Sequence, residues 1–245
     1  MQNGAIRLFR FSGIQVYLHF SWFLVAAYQL TQRSQNYRSP VWALYEYCAL
    51  FGMVLLHEFG HALACRQTGG FANRIILWPL GGIAFVNPPR RAGAMLWSIA
   101  AGPLVNVALV PVLELLWFFA RHAGWFYLSP DLFQLIHTIR FLNLALLIFN
   151  MLPIYPLDGG QIFRALLWFP FGEIRSLQIA SFIGLIGGAA LALLALFWQS
   201  LWTGVMAFFL LSRAFAGWQF AKELVAEELA HPAEPVSPTV PISRQ

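Results

Sequence analysis

The sequence predicts an all-α polytopic membrane protein, with about six transmembrane helices and a membrane-associated β-hairpin after the second. Three observations carry this. Of 245 residues, 59% are hydrophobic and only 10% charged, against about 25% charged in soluble domains. So few ionic groups cannot cover a water-facing surface. The apolar residues also gather into runs of roughly 20, the length that crosses a bilayer. The net charge of +5 comes from basic residues scattered between those runs and not from a groove-like patch. This excludes an ordinary soluble enzyme and a nucleic-acid binder. Cys48 and Cys65 both lie in apolar surroundings and make neither a disulfide framework nor a zinc knuckle.

The first expected span covers residues 14–30, after Arg7 and Arg10. No small-residue cleavage site follows, so it reads as a retained segment and not a signal peptide. The second covers residues 41–65 and contains Glu46, His57, Glu58 and His61. Residues 69–89 have two Gly pairs, three prolines and short β-branched runs, which is hairpin chemistry. The third span covers residues 92–120 and the fourth 132–152. Residues 176–212 carry no charge and are too long for one span; Gln199-Ser200 divides them into two.

Six spans put both ends on one side. With the N-terminus inside, eleven basic residues fall at the cytoplasmic face, and Arg33, Arg38, Arg121 and Arg140 fall outside. That split favours both termini in the cytoplasm; the expected setting is a multi-pass protein of a bacterial inner membrane. Residues 1–217 form the expected transmembrane core. Residues 218–245 form a cytoplasmic tail, disordered in its proline-rich part.

His57-Glu58-Phe59-Gly60-His61 is a His-Glu-x-x-His pattern. On a helix the two imidazoles lie about 40° apart on one face and can reach one tetrahedral ion. Glu58 points about 100° from His57, beside the ion, where it can accept a proton from the attacking water. Gly60 flanks that face and is expected to leave room for a substrate backbone. The pattern arises by chance in roughly half a percent of chains of this composition. A chance polar helix is harder to maintain here, because each ionisable group in an apolar run costs about 2.5–3.5 kcal/mol.

A catalytic zinc takes three protein ligands and keeps a fourth position open. Glu46 lies eleven residues before His57, roughly 16 Å along a helix, and is too far. Glu114 can pair with an arginine or face a polar cavity; His19 and His137 fall near the outer half. Asp158 is the better third ligand. It follows Pro153 and Pro156, which break a helix where unwound backbone must line a cavity. The competing reading makes Asp158 a helix cap. Asn106, after Gly102-Pro103, is expected to bond across helices or order the hairpin. The tryptophans and tyrosines read as interfacial anchors, and Cys65 as a packed thiol.

With these residues in view, the chain resembles the site-2 protease family of zinc intramembrane metalloproteases. The resemblance rests on His57–His61, Pro79-Leu80-Gly81-Gly82, Ala101-Gly102-Pro103-Leu104-Val105-Asn106, and the stretch from Asn150 through Gly160. It also touches residues 13–22. It implies that His57, His61 and Asp158 bind Zn2+ and that Glu58 is the general base. It further implies that Asn150 assists at the oxyanion or positions substrate, in a metalloendopeptidase acting on peptide bonds in or near transmembrane segments. A substrate helix must unwind to be cut, and its freed amides need partners. The hairpin could offer a strand edge, with Gly81, Gly82 and Ile83 close to substrate, or serve merely as a lid. The expected partners are a transmembrane protein substrate and the lipid bilayer. The alternatives are a zinc transporter, which needs a polar relay on both sides of the site, and a non-proteolytic membrane scaffold, against which the intact Glu58 speaks.

Overall fold

The computed structural model of the chain describes residues 4–78 and 81–230. Residues 1–3, Pro79 and Leu80, the side chains of Gly81, Gly82, Ile83 and Ala84 and of residues 229–230, and the tail from residue 231 onward lie outside the described residues. The described elements are β1 (Ala5–Phe11), β2 (Ile14–His19), α1 (Ser21–Arg33), α2 (Val41–Gln67), β3 (Phe71–Trp78), β4 (Gly81–Asn87), α3 (Ala92–His122), α4 (Trp125–Leu128), α5 (Pro130–Asn150), α6 (Asp158–Phe197) and α7 (Leu201–Ala230). Five helices, α2, α3, α5, α6 and α7, are long and apolar enough to cross a membrane. The protein is a multi-pass integral membrane protein.

The expectation of six spanning helices is corrected at the N-terminus. Residues 14–30 are not one helix; they are strand β2 followed by the 13-residue α1. The reason lies in their periodicity. Ile14, Val16 and Leu18 alternate with Gln15, Tyr17 and His19, a period of two, and Ile14 and Val16 are fully buried. Before them, Ser12 and Gly13 have φ of 47° and 75°. Two positive φ angles make the tight turn that joins β1 to β2, with Phe11 opposite Ile14.

The expected hairpin after α2 is present as β3 and β4, antiparallel, with Trp78 opposite Gly81. It does not stand alone. β2 pairs with β3 in parallel, Val16 opposite Ile75, so both hairpins form a single sheet of order β1-β2-β3-β4. One face of that sheet packs on α2. Ile14, Val16, Ile75 and Leu77 form a core with Val54, Ala62 and Cys65. Cys65 is thus a packed thiol, as expected.

Contacts at both ends show the course of the chain from β2 into α1. Arg66, near the end of α2, donates to the Ser12 carbonyl. Arg33, at the end of α1, donates to Glu46 at 2.7 Å. The segment between them therefore runs back alongside α2 from Arg66 to Glu46, about 30 Å by helix rise.

Further along, α6 is two helices joined across a kink at Gly172, where φ is 80° and ψ 173°. The expected division at Gln199-Ser200 falls between α6 and α7, and Gln199 takes a φ of 49°.

Candidate metal centre

Helix α2 carries His57, Glu58 and His61, all buried. His57 lies ten residues before Gln67, about 15 Å from that end of the helix. Asp158, the first residue of α6, comes from a distant part of the chain. The N-cap of α6 is Leu157, with no side-chain capping bond, so Asp158 is not the helix cap of the competing reading; as a carboxylate in the first turn it is stabilised by the exposed amides there. The loop of residues 151–157 aims it. Gly159 and Gly160 face that loop so closely that a Cβ on either would strike its backbone. Ile154 lies against Gly187, and Tyr155 lies against Gly184 and Gly217. Glycines of α6 and α7 thus make the seat from which Asp158 reaches α2.

Three atoms converge: His57 Nε2, His61 Nε2 and Asp158 Oδ2. The two nitrogens are 3.1 Å apart, and the carboxylate oxygen is 3.0 Å from His57 and 3.4 Å from His61. Ligands on a tetrahedral ion with bonds of about 2.0–2.1 Å stand roughly 3.3–3.4 Å apart. The other ring nitrogens are engaged. His57 Nδ1 meets Asn106 Oδ1 at 2.7 Å, and His61 Nδ1 meets the Ser98 carbonyl at 2.9 Å. Both acceptors draw the proton to Nδ1, which leaves each Nε2 as a lone pair. Asp158 Oδ2 has no hydrogen-bond donor. Three buried lone pairs facing one another repel unless a cation lies among them. The donor set of two imidazoles and one carboxylate, with second-site hydrogen bonds on both imidazoles, suits zinc.

Helix α3 supplies much of the wall. Ser98, Gly102 and Asn106 recur every four residues and so share one face. A Cβ at Gly102 would overlap the His61 ring. Gly60 has a different part from the one expected. A Cβ there would come within 2.6 Å of the Ala101 carbonyl, so the missing side chain brings α2 against α3 and does not make room for substrate. Asn106 bonds across helices, as expected, but to His57. Asn143 on α5 was missed in the sequence; its amide pairs with that of Asn106 at 2.9 Å. A polar residue in an otherwise apolar span was the available signal.

The other ionisable candidates weighed in the sequence lie elsewhere. Glu46 is paired with Arg33 and Tyr37, and Glu114 with Arg140 at 3.2 Å. His19 stacks on Trp78 with ring centroids 4.0 Å apart. His137 borders a separate cavity of about 470 Å³ with Tyr37, Arg38 and Asp131. Asn150 is the last residue of α5, half-buried, just before the loop that presents Asp158. The backbone of Gly81, Gly82 and Ile83 lies on β4, at one edge of the sheet.

Known proteins resemble this chain in sequence and in fold. A family model described as peptidase family M50 matches residues 127–194, which include Asn150 and Asp158. The chain is 34% identical over 182 residues to a zinc metalloprotease of Methanocaldococcus jannaschii, covering 74% of this chain and 51% of that protein. It is 32% identical over 117 residues to stage IV sporulation protein FB of Bacillus subtilis, covering 45% of this chain and 36% of that protein. The chain therefore spans about half the length of the archaeal relative. Among solved structures, the site-2 protease from Methanocaldococcus jannaschii superposes with a TM-score of 0.63 at 29% identity, over 87% of this chain and 95% of that one.

Proposed function

The chain belongs to peptidase family M50, the site-2 protease type of zinc metalloprotease, and from that premise we propose that it is an intramembrane metalloendopeptidase. Its substrates are membrane proteins, cut in or beside a transmembrane segment in regulated intramembrane proteolysis. The observation that carries this reading is the convergence of three buried ligand atoms from α2 and α6, with Glu58 next to one of them in sequence.

His57, His61 and Asp158 would hold the zinc. When bound, zinc supplies Lewis-acid chemistry that acidifies water and polarises a carbonyl. Glu58 takes the proton of the attacking water on its carboxylate and passes it to the leaving amine. Asn150, where α5 gives way to the Asp158 loop, positions the substrate or stabilises its oxyanion. The burial of all four charged or ligating groups keeps lipid and bulk water from competing for them.

A substrate helix must open before its carbonyl can be attacked, and the opened amides need partners. β4 ends the sheet, and its outer edge offers such partners by strand addition. Gly81 and Gly82 permit close backbone approach there. Adjacent residues of a strand point their amides to opposite sides. Proline at Ile83 or at Ala84 should therefore differ in effect. The one that removes an outward amide lowers cleavage while zinc content stays at the wild-type level. Normal cleavage by both variants would dispose of strand addition.

The same reading puts the protein in a bacterial inner membrane with both termini cytoplasmic. Its support is the split of basic residues; it requires β2 and α1 to cross together, beside the five long helices. Residues 218–245 then form the cytoplasmic tail. Reporter fusions at the two ends giving opposite sidedness would refute this topology.

The enzyme reading is tested by co-expression with a transmembrane substrate. Glu58→Gln is expected to abolish cleavage and keep zinc; Asp158→Ala is expected to lose both. Cleavage by Glu58→Gln at the wild-type rate would overturn the assignment.

A further inference from the structure

We propose that Asn106 and Asn143 form a two-amide relay that sets the tautomer of His57, holding the proton on Nδ1 and leaving Nε2 bare. The inference rests on His57 being a metal ligand.

The two metal-facing imidazoles are held in different ways. His61 Nδ1 meets a backbone carbonyl, that of Ser98. A carbonyl oxygen accepts and never donates, so this nitrogen carries the hydrogen without further help. His57 Nδ1 meets a side-chain amide, that of Asn106. An amide has an accepting end and a donating end of nearly the same shape. Turned over, it would present its NH2 group to the ring. Nδ1 would then have to accept, and the proton would move to Nε2, where it blocks coordination.

Asn143 removes that freedom. Its Nδ2 donates to the backbone carbonyl of Asn106 at 3.0 Å. That carbonyl has a second lone pair beyond the one its helix uses, and it cannot donate. The orientation of Asn143 is therefore set, and its Oδ1 faces Asn106. It accepts from Asn106 Nδ2 at 2.9 Å. With its NH2 group committed, Asn106 has only Oδ1 to offer His57. Each link permits one orientation, and the chain ends on the backbone of α3. Asn106 and Asn143 are 0% and 1% exposed and His57 4%, so water does not compete for any link. Asn106 and Asn143 are positioning residues; neither touches the reacting atoms.

The test measures the zinc dissociation constant of the full chain in detergent, by competition with a chromophoric chelator. Asn106→Leu should weaken binding 10–100-fold, the usual cost of losing an outer partner of a ligating histidine. Asn143→Leu should weaken it at least several-fold, although it bonds to neither imidazole. Asn106→Asp should restore tight binding, because a carboxylate accepts in either orientation. For the same reason Asn143→Leu should cost little zinc affinity in the Asn106→Asp background. An equal cost of Asn143→Leu in both backgrounds would mean a packing role and overturn the relay; so would Asn106→Asp binding as weakly as Asn106→Leu.

If the Asn143 variants do not fold, 15N spectra of imidazole-labelled, zinc-loaded wild type decide. Coordination of His57 through Nε2, with a hydrogen on Nδ1, supports the relay, and coordination through Nδ1 refutes it. A wild-type chain that binds no zinc would instead sink the metalloprotease reading itself.

Discussion

At Gly102 a Cβ would overlap the imidazole of His61, whereas at Gly93, on the same helix, it would meet nothing within 4 Å. The pair makes a matched test. Gly102→Ala is expected to displace the His61 ring and weaken zinc binding at least tenfold. Gly93→Ala should leave zinc affinity unchanged and stabilise α3 by up to about 1 kcal/mol, the ordinary gain of alanine over glycine in a helix. Chelator competition and thermal melting read the two effects separately. Gly60 belongs with Gly102. One removes bulk from α2 and the other from α3, and together they allow the two helices to meet beside His61. In the sequence, Gly60 reads just as well as space for substrate, because an absent side chain does not announce its neighbour.

Elements meet at two places that bear on the site. One is the seat of the Asp158 loop. A Cβ at Gly184 of α6 would come within 2.5 Å of the Tyr155 carbonyl. Gly184→Val should lift that loop and draw Asp158 away from the imidazoles. Zinc binding by this variant is expected to fall tenfold or more, though position 184 is remote from the ligands in sequence. The other is the far end of α2. Glu46, 1% exposed, accepts from Arg33 Nε at 2.7 Å, from Arg33 Nη2 at 3.1 Å and from the Tyr37 hydroxyl at 2.7 Å. Glu46→Gln should cost about 1.5–3 kcal/mol, the range for hydrogen bonds to a charged group, and lower the melting temperature without changing zinc affinity. A parallel loss of zinc would show that the two ends of α2 are coupled. The same cluster predicts a pH dependence. Burial first, and then the bond to Glu46, raise the Tyr37 pKa above its ordinary value of 10.0. Above about pH 10 the unfolded chain sheds this proton while the folded chain keeps it, so stability falls as pH rises. Tyr37→Phe should flatten that decline in a melting series.

Over the whole molecule, a zinc held by His57, His61 and Asp158 would tie α2 to the start of α6. With the ion gone, the three lone pairs oppose one another at 3.0–3.4 Å. Stripping zinc with a chelator is expected to stop cleavage and lower the melting temperature, and adding zinc back should restore both. An unchanged melting temperature would mean that the sheet and the α3 contacts hold the centre without the ion. The sheet matters at this scale too. Because β2 pairs in parallel with β3, the chain must travel out through α1 and back through α2 between them. That circuit ties the N-terminal hairpin to the end of the helix that bears the imidazoles.

Much of this was readable from residue order, for a plain physical reason. Hydropathy over windows of about 20 residues reports transfer into lipid, a property of the segment alone, so the long helices and the break at Gln199-Ser200 could be located in advance. His57, Glu58 and His61 lie within one helical turn or so, where spacing dictates direction. Residues 14–30 satisfied the same window, but their period of two became meaningful once β3 lay beside them as a pairing partner. Asp158 could be singled out by the prolines before it. Its meeting with two imidazoles a hundred residues away, the pairing of Asn106 with Asn143, and the use of Gly60 and Gly184 as points of close approach all depend on which helices touch. That is settled by packing between distant segments, and a linear order of residues carries no distance across space.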